Sequence, residues 1–234
     1  MKKTLLALSA SAAMIASVAA DSCHSWTGAY VGIQGGMANL SQKAESTGSG
    51  TGVNVIADKS NLGKTGYHAA VNFGYIMQFN PNFAAFAEGF IGKDGVDSES
   101  KHRNGDETFT QKSNKKKLVY GLSVNPALVL NQTSLLFVKL GYEFGKNEFK
   151  VSNQDHAANG QTKENKGSKK GSFVLGFGLK TLVTRNIILG LGVDHVFLRK
   201  QSVTVDQANV ANAKISHKLK GHMNRFLVSV AYKF

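Results

Sequence analysis

Tyr67-His68-Ala69-Ala70-Val71-Asn72-Phe73-Gly74-Tyr75-Ile76-Met77-Gln78-Phe79 is the stretch on which the fold turns. Its odd positions, Tyr67, Ala69, Val71, Phe73, Tyr75, Met77 and Phe79, are all apolar. Its even positions, His68, Ala70, Asn72, Gly74, Ile76 and Gln78, are small or polar with the exception of Ile76. A period of two sends successive side chains to opposite faces of a strand, so this segment is a strand with one greasy face.

Seven more segments repeat the pattern. Ala29, Val31, Ile33, Gly35 and Met37 stand against Tyr30, Gly32, Gln34 and Gly36. In Phe83 to Ile91 the outward face (Ala85, Ala87, Gly89, Ile91) is unusually small, while Phe86, Glu88 and Phe90 fall inward. Leu118, Tyr120, Leu122, Val124, Pro126, Leu128 and Leu130 make a fourth, and Leu136, Val138, Leu140, Tyr142 and Phe144 a fifth. Phe173, Leu175, Phe177 and Leu179 make the sixth, and Ile187, Leu189, Leu191, Val193, His195 and Phe197 the seventh. Phe226, Val228, Val230, Tyr232 and Phe234 close the series.

The connections are of two alternating kinds. Asn80-Pro81-Asn82, Asn131-Gln132-Thr133 and Thr184-Arg185-Asn186 are tight and built of turn formers. Those near 41–65, 93–116, 146–170 and 199–220 are long and polar. Each greasy face runs for about 9–11 residues, the length a tilted strand needs to cross a bilayer. In hydrocarbon every backbone polar group must be paired, so strands span only as a closed barrel. A soluble barrel would be greasy inside and polar outside. Here the polar residues share their face with the glycines, as a crowded interior requires. The expectation is an all-β, eight-stranded antiparallel up-and-down transmembrane β-barrel with short periplasmic turns and four long extracellular loops. An even strand number puts both termini on the periplasmic side.

Residues 1–20 stand apart. Lys2 and Lys3, the apolar run Leu5 to Ala16, and Val18-Ala19-Ala20 have the order of a secretory signal, with cleavage expected after Ala20. The run is shorter than the roughly 20 residues of a helical span. Residues 21–234 then form the barrel domain, placed in the outer membrane of a Gram-negative cell. Ala20-Asp21-Ser22 does not suit a lipoprotein site at Cys23, and a single cysteine forms no internal disulfide. Cys23 reads as a free thiol.

Several stretches resemble the small outer-membrane barrel family that includes opacity proteins and the transmembrane domain of OmpA. Trp26-Thr27-Gly28-Ala29-Tyr30-Val31-Gly32-Ile33 looks like its first strand. Phe73-Gly74-Tyr75, Phe79-Asn80-Pro81-Asn82-Phe83 and Glu88 resemble the second and third strands with their turn. Val228-Ser229-Val230-Ala231-Tyr232-Lys233-Phe234 is similar to its terminal strand. The resemblance implies that Phe226, Val228, Val230, Tyr232 and Phe234 are read by the barrel-assembly machinery. It does not extend to the peptidoglycan-binding periplasmic domain of full-length OmpA.

Parity turns Glu88, Glu143 and Asp194 inward, and Lys139, Lys180 and Arg225 with them. Buried charges are rare unless paired. Eight strands leave an interior just wide enough for side chains, so a salt-bridged plug is expected, with a narrow pore as the alternative. Catalysis lacks its parts. Ser216-His217 and His222 have no carboxylate close beside them in sequence, so no enzyme and no cofactor are expected. His102, His156, His217 and His222 permit a haem- or metal-binding receptor, but without chelating spacing. Outward His195 reads as a substitute for an interfacial aromatic.

The chain carries a net charge of +13, or +11 without Lys2 and Lys3. Counted through the Lys115-Lys116-Lys117 run, the four long loops hold about +1, +2, +3 and +4 of it. Further clusters are Lys169-Lys170, Arg199-Lys200, and Lys218 with Lys220. Such charge attracts phospholipid, lipopolysaccharide phosphate or acidic glycans, and export makes nucleic acid the least suitable partner. A monomeric surface component, either an inert structural one or one adhesive toward acidic polymers on other cells, is the functional expectation.

Overall fold

The computed structural model describes residues 26–49, 59–96, 98–104, 107–113, 118–146, 149–154, 162–165, 169–206 and 214–234. Residues 1–25, which include the stretch read above as a secretory signal and Cys23, lie outside these. Among the described residues are twelve strands and no helix: β1 (Gly28–Ser49), β2 (Lys59–Asn80), β3 (Phe83–Gly95), β4 (Ser98–Asn104), β5 (Glu107–Ser113), β6 (Val119–Asn131), β7 (Ser134–Lys146), β8 (Phe149–Gln154), β9 (Thr162–Asn165), β10 (Lys169–Leu182), β11 (Ile187–Asp206) and β12 (Lys214–Lys233). Eight of them close a barrel in the order β1-β12-β11-β10-β7-β6-β3-β2. Neighbours are antiparallel throughout, and the seam pairs β1 with β12 from Tyr30↔Lys233 to Ser49↔Lys214. Closure leaves no strand edge unpaired, which is the condition for β-structure in hydrocarbon.

Each tight turn is held by the side chain that opens it. Asn80 Oδ1 accepts from the backbone N–H groups of Asn82 (2.9 Å) and Phe83 (2.8 Å). Asn131 Oδ1 accepts from Thr133 N at 2.9 Å, and Thr184 Oγ1 from Ile187 N at 3.1 Å. Asn and Thr suit these positions because their short polar side chains mimic a backbone acceptor.

The long connections contain more strand than the sequence reading allowed. β1 continues to Ser49 and β2 begins at Lys59, while β11 runs to Asp206 and β12 starts at Lys214. Within 93–116 and 146–170, β4, β5, β8 and β9 form a second antiparallel sheet in the order β4-β5-β8-β9. The reason for the correction is physical. Apolar alternation marks where strands meet hydrocarbon, whereas the ladder itself needs only backbone N–H and C=O groups.

The wall shows the expected division of faces. Ile33, Phe73, Leu122, Phe177 and Val228 point out and are exposed, while Gln34, Asn72, Ser123, Lys180 and Arg225 point in and are buried. β3 follows the same parity despite its small outward residues: Phe86, Glu88 and Phe90 are all buried. Ala87 and Gly89 leave a shallow outer hollow flanked by Phe73, Tyr75 and Leu122. Aromatic rings mark both ends of the apolar band. Phe79, Phe83, Tyr232 and Phe234 stand exposed at the short-turn end. Tyr142, Phe173 and Phe197 are paired side by side at the other. Such girdles lie at the membrane interfaces of outer-membrane barrels.

Inside, apolar layers enclose a polar one. Trp26, Tyr30, Ile76, Phe86, Leu135, Leu182 and Ile188 pack together toward the short-turn end. Ala38, Leu40, Val96, Val174, Val196 and Met223 pack toward the long-loop end. Charged side chains fill the space between them.

Candidate functional site: the charged lumen and the basic rim

Glu88 projects from the middle of β3, and its carboxylate is the hub of the lower half of the polar layer. Oε2 accepts from the Tyr30 hydroxyl (2.7 Å), Lys180 Nζ (3.1 Å) and Asn72 Nδ2 (3.2 Å). Oε1 lies 3.6 Å from Lys139 Nζ, which also donates to Asp194 Oδ2 at 3.2 Å. The Lys180 ammonium sits over the rings of Tyr30 and Phe86, 4.3 and 4.4 Å from their centroids. A cation on a ring face gains from the ring quadrupole, more so when desolvated. These contacts supply the partners that a buried ammonium needs.

Arg225 organises the upper half. Its Nη1 donates to Glu143 Oε2 at 2.7 Å, and its Nη2 donates to Asp94 Oδ2 at 2.6 Å and Glu143 Oε1 at 3.3 Å. In the barrel order β12 is three strands from β7 one way and three from β3 the other. One guanidinium thus ties opposite walls together, which its planar fork of donors suits. The other oxygen of Asp94 is 2.6 Å from His68 Nδ1, and His68 Nε2 is 3.2 Å from Gln34 Nε2. This arrangement lets Nδ1–H donate to the carboxylate while Nε2 accepts from the amide.

Two glycines make room for the network. A Cβ at Gly74 would meet the Tyr30 ring at 2.8 Å, and one at Gly176 would strike Asp194 Oδ1 with Lys139 Cβ at 3.3 Å.

All six lumen residues assigned from parity, Glu88, Lys139, Glu143, Lys180, Asp194 and Arg225, face the interior and are buried. They fall into two groups, Glu88 with Lys139, Lys180 and Asp194, and Arg225 with Glu143. The structure adds Asp94, His68, Tyr30, Asn72 and Gln34. Asp94 falls in the 93–116 stretch that reads as a loop from sequence, because the apolar alternation fades after Ile91. Its even number, like that of Glu88, places it inward once β3 is extended to Gly95.

On the outer wall Phe226, Val228, Val230 and Tyr232 of β12, with Phe234 just beyond its end, form one exposed row. Phe234 N donates to Ala29 O at 2.9 Å, holding the last residue to the first strand. The basic clusters are spread over several elements. Arg199 and Lys220 are exposed on β11 and β12, Lys200 and Lys218 belong to those same strands, and Lys169 and Lys170 open β10. Lys115, Lys116 and Lys117 lie outside the described residues, as does His156. His102 falls in β4 and His217 in β12, with Ser216 beside it. His222 is exposed on the barrel wall next to His195.

A closed eight-stranded barrel with an apolar wall and a polar, filled lumen defines an outer-membrane β-barrel. The chain belongs to the outer membrane protein beta-barrel domain family, whose model matches residues 4–234. No curated protein matches it at the level of sequence. Among solved structures it is similar to OprG of Pseudomonas aeruginosa, at 12% identity and a TM-score of 0.51, over 92% of this chain and 99% of that one. It is also similar to Ail of Yersinia pestis in complex with the heparin analogue sucrose octasulfate, at 15% identity and a TM-score of 0.32, over 85% and 99%. The protease OmpT of Escherichia coli matches at 9% identity and a TM-score of 0.45, over 93% and 100%. At these identities the likeness is one of fold.

Proposed function

We propose that this barrel is a monomeric, non-catalytic surface protein whose basic outer rim binds acidic polymers, lipopolysaccharide or polysaccharide on neighbouring cells. The observation that carries the reading is the one-sided charge. Nearly all of the mature +11 lies in the four long connections, at the end opposite the tight turns. Charge so placed attracts polyanions at a distance and binds them through many weak contacts. The filled lumen supports an anchor rather than a porin, because ion pairs and apolar layers occupy the space a solute would need. Residues 1–20 serve as the export signal, and the mature protein begins at Asp21. Residues of the terminal strand present the signal for the assembly machinery.

The test compares cells that display the barrel with cells that lack it, for binding to labelled heparin and to lipopolysaccharide. Exposed charges are screened over about 8 Å at physiological ionic strength, so binding should fall steeply with added salt. Replacing Lys115, Lys116, Lys117, Lys218 and Lys220 with Gln should weaken it and leave assembly intact. Salt-insensitive binding untouched by those changes would rule the reading out.

A further inference from the structure

The ring row at the outer end of the apolar band continues into histidine. Tyr142 pairs with Phe173, Phe173 with Phe197, and Phe197 with His222. His195, two residues before Phe197, points the same way and pairs with Asn224. His195 and His222 are therefore diagonal neighbours across β11 and β12, a spacing that long side chains bridge. Their rings are stacked, with centroids 5.1 Å apart and planes at 25°.

A girdle role would be met by any two aromatic rings. What it does not require is the hydrogen bond beneath. His195 Nδ1 is 2.6 Å from Asn224 Oδ1. A carbonyl oxygen only accepts, so Nδ1 carries a proton, and in the neutral ring Nε2 then keeps its lone pair. Metal-binding histidines are oriented in this way, with the far nitrogen donating to an oxygen and the near one left to ligate. His222 is exposed, and among the described residues no hydrogen bond engages its ring.

We infer that His195 and His222 form a two-imidazole site for a late first-row divalent ion of the Cu2+ or Zn2+ class, oriented by Asn224 and completed by solvent. Imidazole nitrogens bind such ions at about 2.0–2.1 Å, so with His195 held by Asn224 it is the His222 ring that must turn about its side-chain torsions for both nitrogens to meet one ion. The surroundings select among cations. Arg199, two residues past Phe197, and Lys220, two residues before His222, are exposed at the β-bulge between Leu198 and Gln201, and Lys43 pairs with Lys220. Their positive charge disfavours hard ions held by electrostatics alone, such as Mg2+ and Ca2+. Ions bound through nitrogen donation lose less. The site is separate from the proposed polyanion contact, which uses lysines and arginine rather than imidazole.

The full-length barrel, folded in detergent, is titrated with Cu2+ alone and followed by electron paramagnetic resonance, and with Zn2+ alone by calorimetry. The expected result is about one ion per barrel, with two nitrogen ligands in the copper spectrum. His195→Ala and His222→Ala should each abolish that two-nitrogen signal. Asn224→Ala should keep both ligands and weaken binding by about 10–100-fold, the usual effect of removing an orienting partner. All three residues lie on the outer wall, and unboiled gel mobility confirms that each variant still forms a barrel. A wild-type protein that binds neither ion overturns the inference. So does an unchanged two-nitrogen spectrum in the His195→Ala, His222→Ala double variant, which would place the ion on other histidines.

Discussion

Arg225 of β12 grips Glu143 of β7 across the lumen through contacts of 2.7 and 3.3 Å, and neither side chain is accessible to solvent. The two strands are not neighbours in the wall, so the pair is a strut between opposite sides. The same guanidinium holds Asp94 of β3. Sheet hydrogen bonds fix each strand to its neighbours, and this strut fixes the cross-section.

Removing Arg225 should accordingly be far more damaging than removing any rim charge. Arg225→Met leaves Glu143 and Asp94 facing one another in a closed space. Breaking a buried ion pair by deleting one partner typically costs about 3–5 kcal/mol. Urea unfolding in detergent micelles, followed by the fluorescence of Trp26, should show a markedly lower midpoint. Replacing Glu143 by Gln should cost less, since the amide oxygen still accepts from the guanidinium and Asp94 remains paired. An Arg225→Met barrel as stable as the parent would remove the strut from the account.

Glu88→Ala tests the other half of the network and the plug together. Lys139 keeps Asp194, whereas Lys180 loses the carboxylate at 3.1 Å and retains only ring faces and the Tyr30 hydroxyl. Stability should fall by a few kcal/mol. Planar-bilayer conductance should change little, because Trp26, Ile76, Leu182 and Ile188 still pack beneath the charges. Large steady conductance in the wild-type protein would instead favour a working porin.

The parts of this fold legible in sequence were those with a period. Strands in hydrocarbon must alternate, so Tyr67 to Phe79 announces itself, and the tight turns follow from Asn, Pro and Thr. Parity alone then placed Glu88 and Arg225 in the same interior. Two things had no such signal. Beyond the apolar band β1, β2, β11 and β12 continue as polar ladders, and polar residues alternate with nothing to contrast. Partner choice across the lumen depends on shear and on which strands lie opposite. That is why Asp94 and His68 join Arg225 unannounced, and why the division of the six inward charges into a cluster around Glu88 and another around Arg225 could not be read from parity.

Space within the lumen is as tightly set as charge. A methyl at Gly176 would collide with the Asp194 carboxylate that Lys139 holds, and a methyl at Gly74 with Tyr30, whose hydroxyl donates to Glu88. Gly176→Val should therefore break the Lys139–Asp194 contact by displacing it, with a loss of about 1–3 kcal/mol from overpacking in addition to the lost pairing. Gly35→Ala is the control, because a Cβ there meets only His68 O at 3.8 Å. Equal unfolding midpoints for the two variants would count against the packing argument.

Phe234 allows recognition during assembly to be separated from stability after it. The residue is 71% exposed, and its ring contact is an edge-on approach to Tyr232 at 5.2 Å between centroids. The side chain thus adds little to the folded barrel, while the backbone N–H still reaches Ala29 O in a Phe234→Ala variant. That variant, unfolded in urea and diluted into detergent, should refold with nearly the parental midpoint. In cells it should assemble poorly, with unfolded protein collecting in the periplasm and less of the heat-modifiable form on unboiled gels. Phe234→Tyr keeps the terminal aromatic and should assemble normally. Normal cellular assembly of Phe234→Ala would show that the terminal ring is not the signal, and a matching refolding defect in vitro would make it a structural residue instead.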